Sequence, residues 1–233
     1  MSGKVSLPKW KLGGLISVGV LLLAVVIISL PRGGGDSSSS SSASAAAGGA
    51  SAGGGSAAAG CAGAGVSADE SVRDRAPKGT QWVTTDSGWT GPVSSSVGPK
   101  TKDPFRRCFE HSAEGALYAA AWTLVQINDP EVRNAALDQA LTGPGRAAAK
   151  ESLLKSKARN GESSFQLGGY KYLSFSSDRA SIRVMIQTSS GEWRSMDMVM
   201  VWENGDWRLH VPADARSSIS RVTDPSQFIR WRA

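Results

Sequence analysis

Cysteine and histidine are scarce: the 233 residues hold two of each, Cys61, Cys108, His111 and His210. No spacing among them resembles a metal site. A nucleophile elbow, a phosphate-binding loop and paired carboxylates at catalytic spacing are absent as well. No cofactor or metal is therefore expected, and the chain does not read as an enzyme. A disulfide is not expected either, because Cys61 lies in a low-complexity stretch where nothing fixes its approach to a partner. Cys108 reads instead as a small, partly buried apolar residue. Runs of like charge are also missing. The net charge is +6, but four basic residues and one acid precede Ser37, which leaves a mild excess of three beyond it. Direct nucleic-acid binding is not expected from so dispersed a charge.

Charge is absent altogether from Leu12 to Leu30, 19 residues that are almost all apolar. As a helix they span roughly 28 Å, close to the hydrocarbon thickness of a bilayer. Lys4, Lys9 and Lys11 precede the run and only Arg32 closely follows it. That asymmetry predicts a cytoplasmic N-terminus at 1–11, a transmembrane helix at 12–30 and an extracellular C-terminal domain. A cleaved signal peptide is the competing reading. The apolar run is long for one, and Pro31-Arg32-Gly33 is a poor cleavage site. Lipidation at Cys61, after Ala58-Ala59-Gly60, would lie about 30 residues beyond the apolar segment. The location expected is the plasma membrane, single-pass. Gly13, Gly14 and Gly19 permit close approach of two such helices, and hence homo-oligomers.

From Gly33 to Val66 the chain is nearly all Gly, Ser and Ala, with no aromatic residue. Such a stretch cannot bury enough surface to offset ordering entropy. Residues 33–66 are therefore expected to form a disordered linker, with an end-to-end distance of roughly 30 to 35 Å. Residues 67–233 remain, enough for one extracytoplasmic domain with a core.

Within that domain, Ser112 is set as an N-cap, and Leu117, Ala120, Ala121, Leu124 and Val125 recur at helical spacing. Asp129-Pro130 predicts the start of a second helix, ended by Gly143-Pro144-Gly145. A third helix is expected from Arg146 to about Arg159. After Glu162 the period becomes two. Phe165 to Phe175 reads as a strand bent at Gly168-Gly169, and Ala180 to Gln187 as a second. Asn204-Gly205 is a type I′ hairpin signal that places Trp202 opposite Trp207, Met200 opposite Leu209 and Glu203 opposite Asp206 at a solvated tip. Gln81-Trp82-Val83 is a candidate edge strand, with Trp82 and Trp89 stapling the irregular arm to the core. The expected fold is α+β, three helices packed on a curved four-stranded antiparallel sheet.

The hairpin Trp202-Glu203-Asn204-Gly205-Asp206-Trp207-Arg208 resembles the closing hairpin of the nuclear transport factor 2-like cone. With His111-Ser112-Ala113-Glu114-Gly115-Ala116-Leu117, Pro92-Val93-Ser94 and Gly98-Pro99, it resembles an actinobacterial family of single-pass membrane proteins found mainly with mobile and conjugative elements. The likeness covers roughly Gln81 to Trp231. It implies a cone outside the membrane, similar in topology to the single-pass assembly factors of type IV secretion systems, with protein partners in the cell envelope. Cones can also hold a pocket. Its candidate lining here is Asp197 and His210 on the last strands, with Trp122 and Tyr118 on the first helix. The alternative function is accordingly an anchored domain that binds a small molecule or cell-wall fragment, or performs simple acid–base chemistry.

Overall fold

The computed structural model describes Cys61, residues 74–157, Gly161, residues 164–214 and residues 219–231. The apolar segment 12–30 and most of the linker lie outside the described residues. Among the described residues no helix is long and apolar enough to cross a membrane.

Two short strands, β1 (Gln81–Thr84) and β2 (Thr90–Val93), pair into a separate antiparallel ribbon. Helix α1 (Ala113–Gln126) comes next, capped by the Ser112 hydroxyl, which accepts from the Gly115 N–H at 3.0 Å. All its residues but Glu114 are buried. A helix apolar all round belongs in a core, and α1 is the helix on which the main sheet closes. Gly91 lets the Trp122 ring lie flat on β2, where a Cβ would sit 2.6 Å from it.

The second helix begins later than expected. Asp129 caps a turn instead, its Oδ1 accepting from the Glu131 N–H at 3.0 Å, and α2 runs Arg133–Gln139. Strand β3 (Leu141–Thr142) and helix α3 (Arg146–Lys155) come after it. The buried Arg133 guanidinium holds the end of α3 by donating to the Leu153 and Ser156 carbonyls. Basic groups suit the carbonyl end of a helix. A second apolar cluster of Phe105, Ile127, Leu137, Leu141, Leu153 and Val211 unites this part.

The remaining strands are β4 (Phe165–Ser176), β5 (Arg179–Thr188), β6 (Trp193–Glu203), β7 (Asp206–His210), β8 (Ile219–Arg221) and β9 (Ile229–Arg230). The four-stranded antiparallel cone is not what forms. The sheet has seven strands in the order β3-β7-β6-β5-β4-β9, with β8 on β6, and it is mixed because β3 runs parallel to β7. Strands of two or three residues carry no readable alternation, so β3, β8 and β9 escape a pattern-based reading.

The inferred registers do hold. Trp202 pairs with Trp207, Met200 with Leu209 and Glu203 with Asp206, and positive φ at Asn204 and Gly205 makes the tight turn. The bend in β4 is a register shift between Leu167 and Gly169. Ala180, Ile182, Val184, Met196, Met198 and Met200 form the inner face against α1. The arm is stapled as expected. Trp89 is 1% exposed and packs on Phe165, and Trp82 meets the edge of Trp231 at 5.5 Å.

One glycine separates local preference from tertiary constraint. Alanine is the better helix former by about 1 kcal/mol. A Cβ at Gly115, however, would sit 1.8 Å from the Glu110 carbonyl oxygen. Gly115→Ala is expected to destabilise the domain by about 3 kcal/mol. Urea unfolding checks it, and a gain in stability would mean that the start of α1 does not lie against Glu110.

Candidate functional site

The four residues singled out from the sequence do not share a pocket. Tyr118 and Trp122 are buried on α1, against the inner side of the sheet. The Tyr118 hydroxyl lies 2.6 Å from Thr80 Oγ1, and burial pushes its phenol pKa up. The Trp122 indole N–H donates to the Pro92 carbonyl at 2.6 Å, while the Arg106 guanidinium lies over its ring at 4.5 Å. Both side chains tie the helix to the arm.

Asp197 and His210 belong to the opposite, outer face. The Asp197 carboxylate receives a two-pronged Arg183 guanidinium at 2.6 and 2.8 Å, across the β5–β6 pair. A carboxylate so engaged is a poor general base. His210 is half-buried, and the turn at Gly143 runs directly beneath its imidazole, where a Cβ would lie 2.8 Å from Nδ1.

What the sequence did not disclose is a junction built from Cys61, Cys108 and Asp206. The two cysteines form a disulfide across a sequence separation of 47, and both are buried. It corrects the expectation that they stay apart, and a Cys61 sulfur in that bond is not a lipid attachment point. Asp206 is corrected too: although it faces Glu203 at the hairpin, it is 8% exposed. Its carboxylate turns into the protein and accepts from the Cys108 N–H at 2.8 Å, the Phe109 N–H at 3.0 Å and the Trp207 N–H at 2.9 Å. Burial raises the Asp206 pKa against the opposing pull of those three donors. Backbone at Cys108 has φ 65°, an unusual conformation for a residue with a side chain. It directs two successive N–H groups at one carboxylate.

Cys61, Cys108 and Asp206 also bring ligand-type atoms within 4.8 Å of one another. With the sulfurs bonded to each other and the carboxylate occupied by backbone donors, the junction is a fastener rather than a metal centre. Beside it, the His111 ring stacks on Trp202 at 4.0 Å, and the Trp207 indole N–H donates to the Glu110 carbonyl at 3.0 Å. The signal that could have found this site was modest: two cysteines in all, both beyond the apolar segment.

An open cleft of about 330 Å³ lies elsewhere, between the start of β4 and the end of β5. Among the described residues, Ser164, Gln166, Gln187, Thr188 and Ser189 line it with polar side chains. Among the described residues the buried Ser164 hydroxyl has no hydrogen-bond partner.

The junction is testable by stability. Closing a loop of 47 residues is worth about 4 kcal/mol in the chain-entropy model, so Cys61→Ser with Cys108→Ser is expected to cost about that much in urea unfolding. Asp206→Asn replaces one acceptor by a donor facing a backbone N–H and is expected to cost on the order of 2–3 kcal/mol. An Asp206→Asn protein as stable as the parent would show that the three hydrogen bonds are not made.

No curated protein and no solved structure matches the chain significantly. A family described as a domain of unknown function (DUF8175) matches residues 41–230, thus taking in the disulfide, the helices and every strand of the sheet. The chain belongs to that family.

Proposed function

We propose that the protein is a single-pass, membrane-anchored envelope protein whose extracytoplasmic domain binds protein partners. The observation that carries this reading is the Cys61–Cys108 disulfide. Such bonds persist in oxidising compartments and are rare where cytosolic reductants act. The bond therefore agrees with the lysine-flanked apolar segment 12–30, which directs the chain beyond it out of the cytoplasm. It also shortens the lead. Residues 33–60 connect the membrane segment to a covalently fixed point, so Cys61 is a boundary of the domain and not part of its linker. Binding is favoured over catalysis because Asp197, the carboxylate best placed by sequence to act as a base, is held by the Arg183 guanidinium. The resemblance to proteins of mobile and conjugative elements suggests a partner in a DNA-transfer apparatus.

Topology tests the reading. Ser190→Cys lies in an exposed turn and Ser6→Cys in the lysine-rich N-terminus. A membrane-impermeant maleimide is expected to label the first in intact cells and the second only after permeabilisation. Labelling in the reverse order would overturn the proposed orientation. Crosslinking in intact membranes, with purification afterwards, is expected to recover envelope proteins of the same element. Recovery of the chain alone would count against protein partners.

The polar cleft favours a second reading, in which the domain holds a small hydroxyl-bearing ligand such as a cell-wall sugar. Gln166 and Gln187 are cross-strand partners, and their amides with the Ser164 hydroxyl offer donors and acceptors to hydroxyl groups. A neutral acetylated disaccharide that raises the melting temperature of the parent but not of Gln187→Leu would support it. No shift in either protein would dismiss it.

A further inference from the structure

The outer face of the sheet carries cations in an arrangement that packing does not explain. Cross-strand register sets three rows on β4 to β7. Lys171, Arg183 and Asp197 form one row, Ser174, Ser181 and Val199 the next, and Ser176, Arg179, Val201 and Arg208 the third. Lys171, Ser174, Ser176 and Arg179 are exposed, and the others are partly so. Helix α1 covers the opposite face. Asp197 is taken by Arg183, and Glu203 continues the same side of β6, so Lys171, Arg179 and Arg208 against Glu203 leave a net charge of +2 on the face. Lateral repulsion among such groups disfavours the fold slightly, so their clustering asks for an anionic partner.

The chain outside the described structure points to which one. The lead from the membrane segment ends at Cys61, fixed through Cys108 to Asp206, the first residue of β7. Arg208, in the third row, is two residues further along the same strand. The membrane segment and Cys61 are separated by residues 33–60 alone, whose composition leads one to expect a reach of about 30 Å, and this keeps the face close to the bilayer surface. Confinement of that kind makes even weak contacts effective.

We propose that this outer face docks on the anionic phospholipid headgroups of the membrane that holds the protein. The inference rests on the membrane anchoring proposed above. Headgroups fit better than a folded acidic protein. The three rows hold serines, half-buried valines and cations but no aromatic anchor of the kind that dominates protein interfaces. Laterally mobile phosphates need no matching shape, and each basic residue near an anionic surface strengthens attachment about fivefold. Docking in this way turns α1 and the β1–β2 arm away from the bilayer, toward whatever partner approaches from outside.

The test uses the full-length chain carrying a fluorophore at Ser177→Cys, in the turn bordering the face, with an acceptor in the lipid. Vesicles of phosphatidylcholine alone are compared with an equal mixture of phosphatidylcholine and phosphatidylglycerol. Flotation with the neutral vesicles at high salt reports the anchor by itself. Expected is strong energy transfer on the mixed vesicles, weak transfer on the neutral ones and loss of the difference at high salt. Lys171→Gln with Arg179→Gln, both exposed and outside the core, is expected to reduce the docked-to-undocked ratio about 25-fold. Equal transfer on the two compositions, or an unchanged ratio in the double variant, overturns the proposal. Capture of an acidic protein through Arg179 without any lipid dependence overturns it too. If the chain does not float with neutral vesicles, the anchor fails and not the face. Docking is then read from binding to preformed mixed vesicles, with the same variant deciding it.

Discussion

The Asp206 carboxylate is the point at which separate parts of the domain become one body. It belongs to the last hairpin by sequence, yet two of its three backbone donors come from Cys108 and Phe109, nearly a hundred residues earlier. A charged acceptor of this kind contributes about 1.5–3 kcal/mol per hydrogen bond when water is excluded. The disulfide reinforces the same place by attaching Cys61 to Cys108. Phe109 leads into Glu110, whose carbonyl takes the Trp207 indole N–H, and from there into the Ser112 cap of α1. The position of the central helix on the sheet is thus set by one buried carboxylate and the segment it grips.

That grip also divides the sheet into two faces. The inner face meets α1 through Ile182, Val184, Met198 and Met200, and the helix side answers with small alanines that let it lie close. The outer face keeps polar and charged positions at alternate residues, as a half-buried antiparallel sheet does. Tyr118 and Trp122 serve the first face and Asp197 and His210 the second, so no single cavity can gather the four.

Long periodic elements were legible in the sequence because two independent signals agreed on them. At the hairpin, the Asn204-Gly205 turn and the alternation of Met198, Met200 and Trp202 demand the same register. At α1, the Ser112 cap coincides with the start of helical spacing. Where only one signal existed, the reading drifted. Asp129-Pro130 has the residues of a helix start, but Asp129 closes a local turn and the helix waits until Arg133. Strand β3 consists of Leu141 and Thr142, whose place beside Leu209 and His210 is set by tertiary packing alone. The junction was hidden for the same reason. Nothing local to Cys61, amid glycine and alanine, indicates that it reaches Cys108, and nothing local to Asp206 indicates that it points inward.

The central claim is that Cys61 is covalently joined to Cys108 in the protein as it stands in the cell. Alkylating intact cells before lysis, then mapping peptides without reductant, tests it directly. The expected result is a single linked peptide pair containing Cys61 and Cys108, with neither thiol alkylated. Recovery of both cysteines as alkylated, unlinked peptides would contradict it and remove the main support for the proposed placement of the domain outside the cytoplasm.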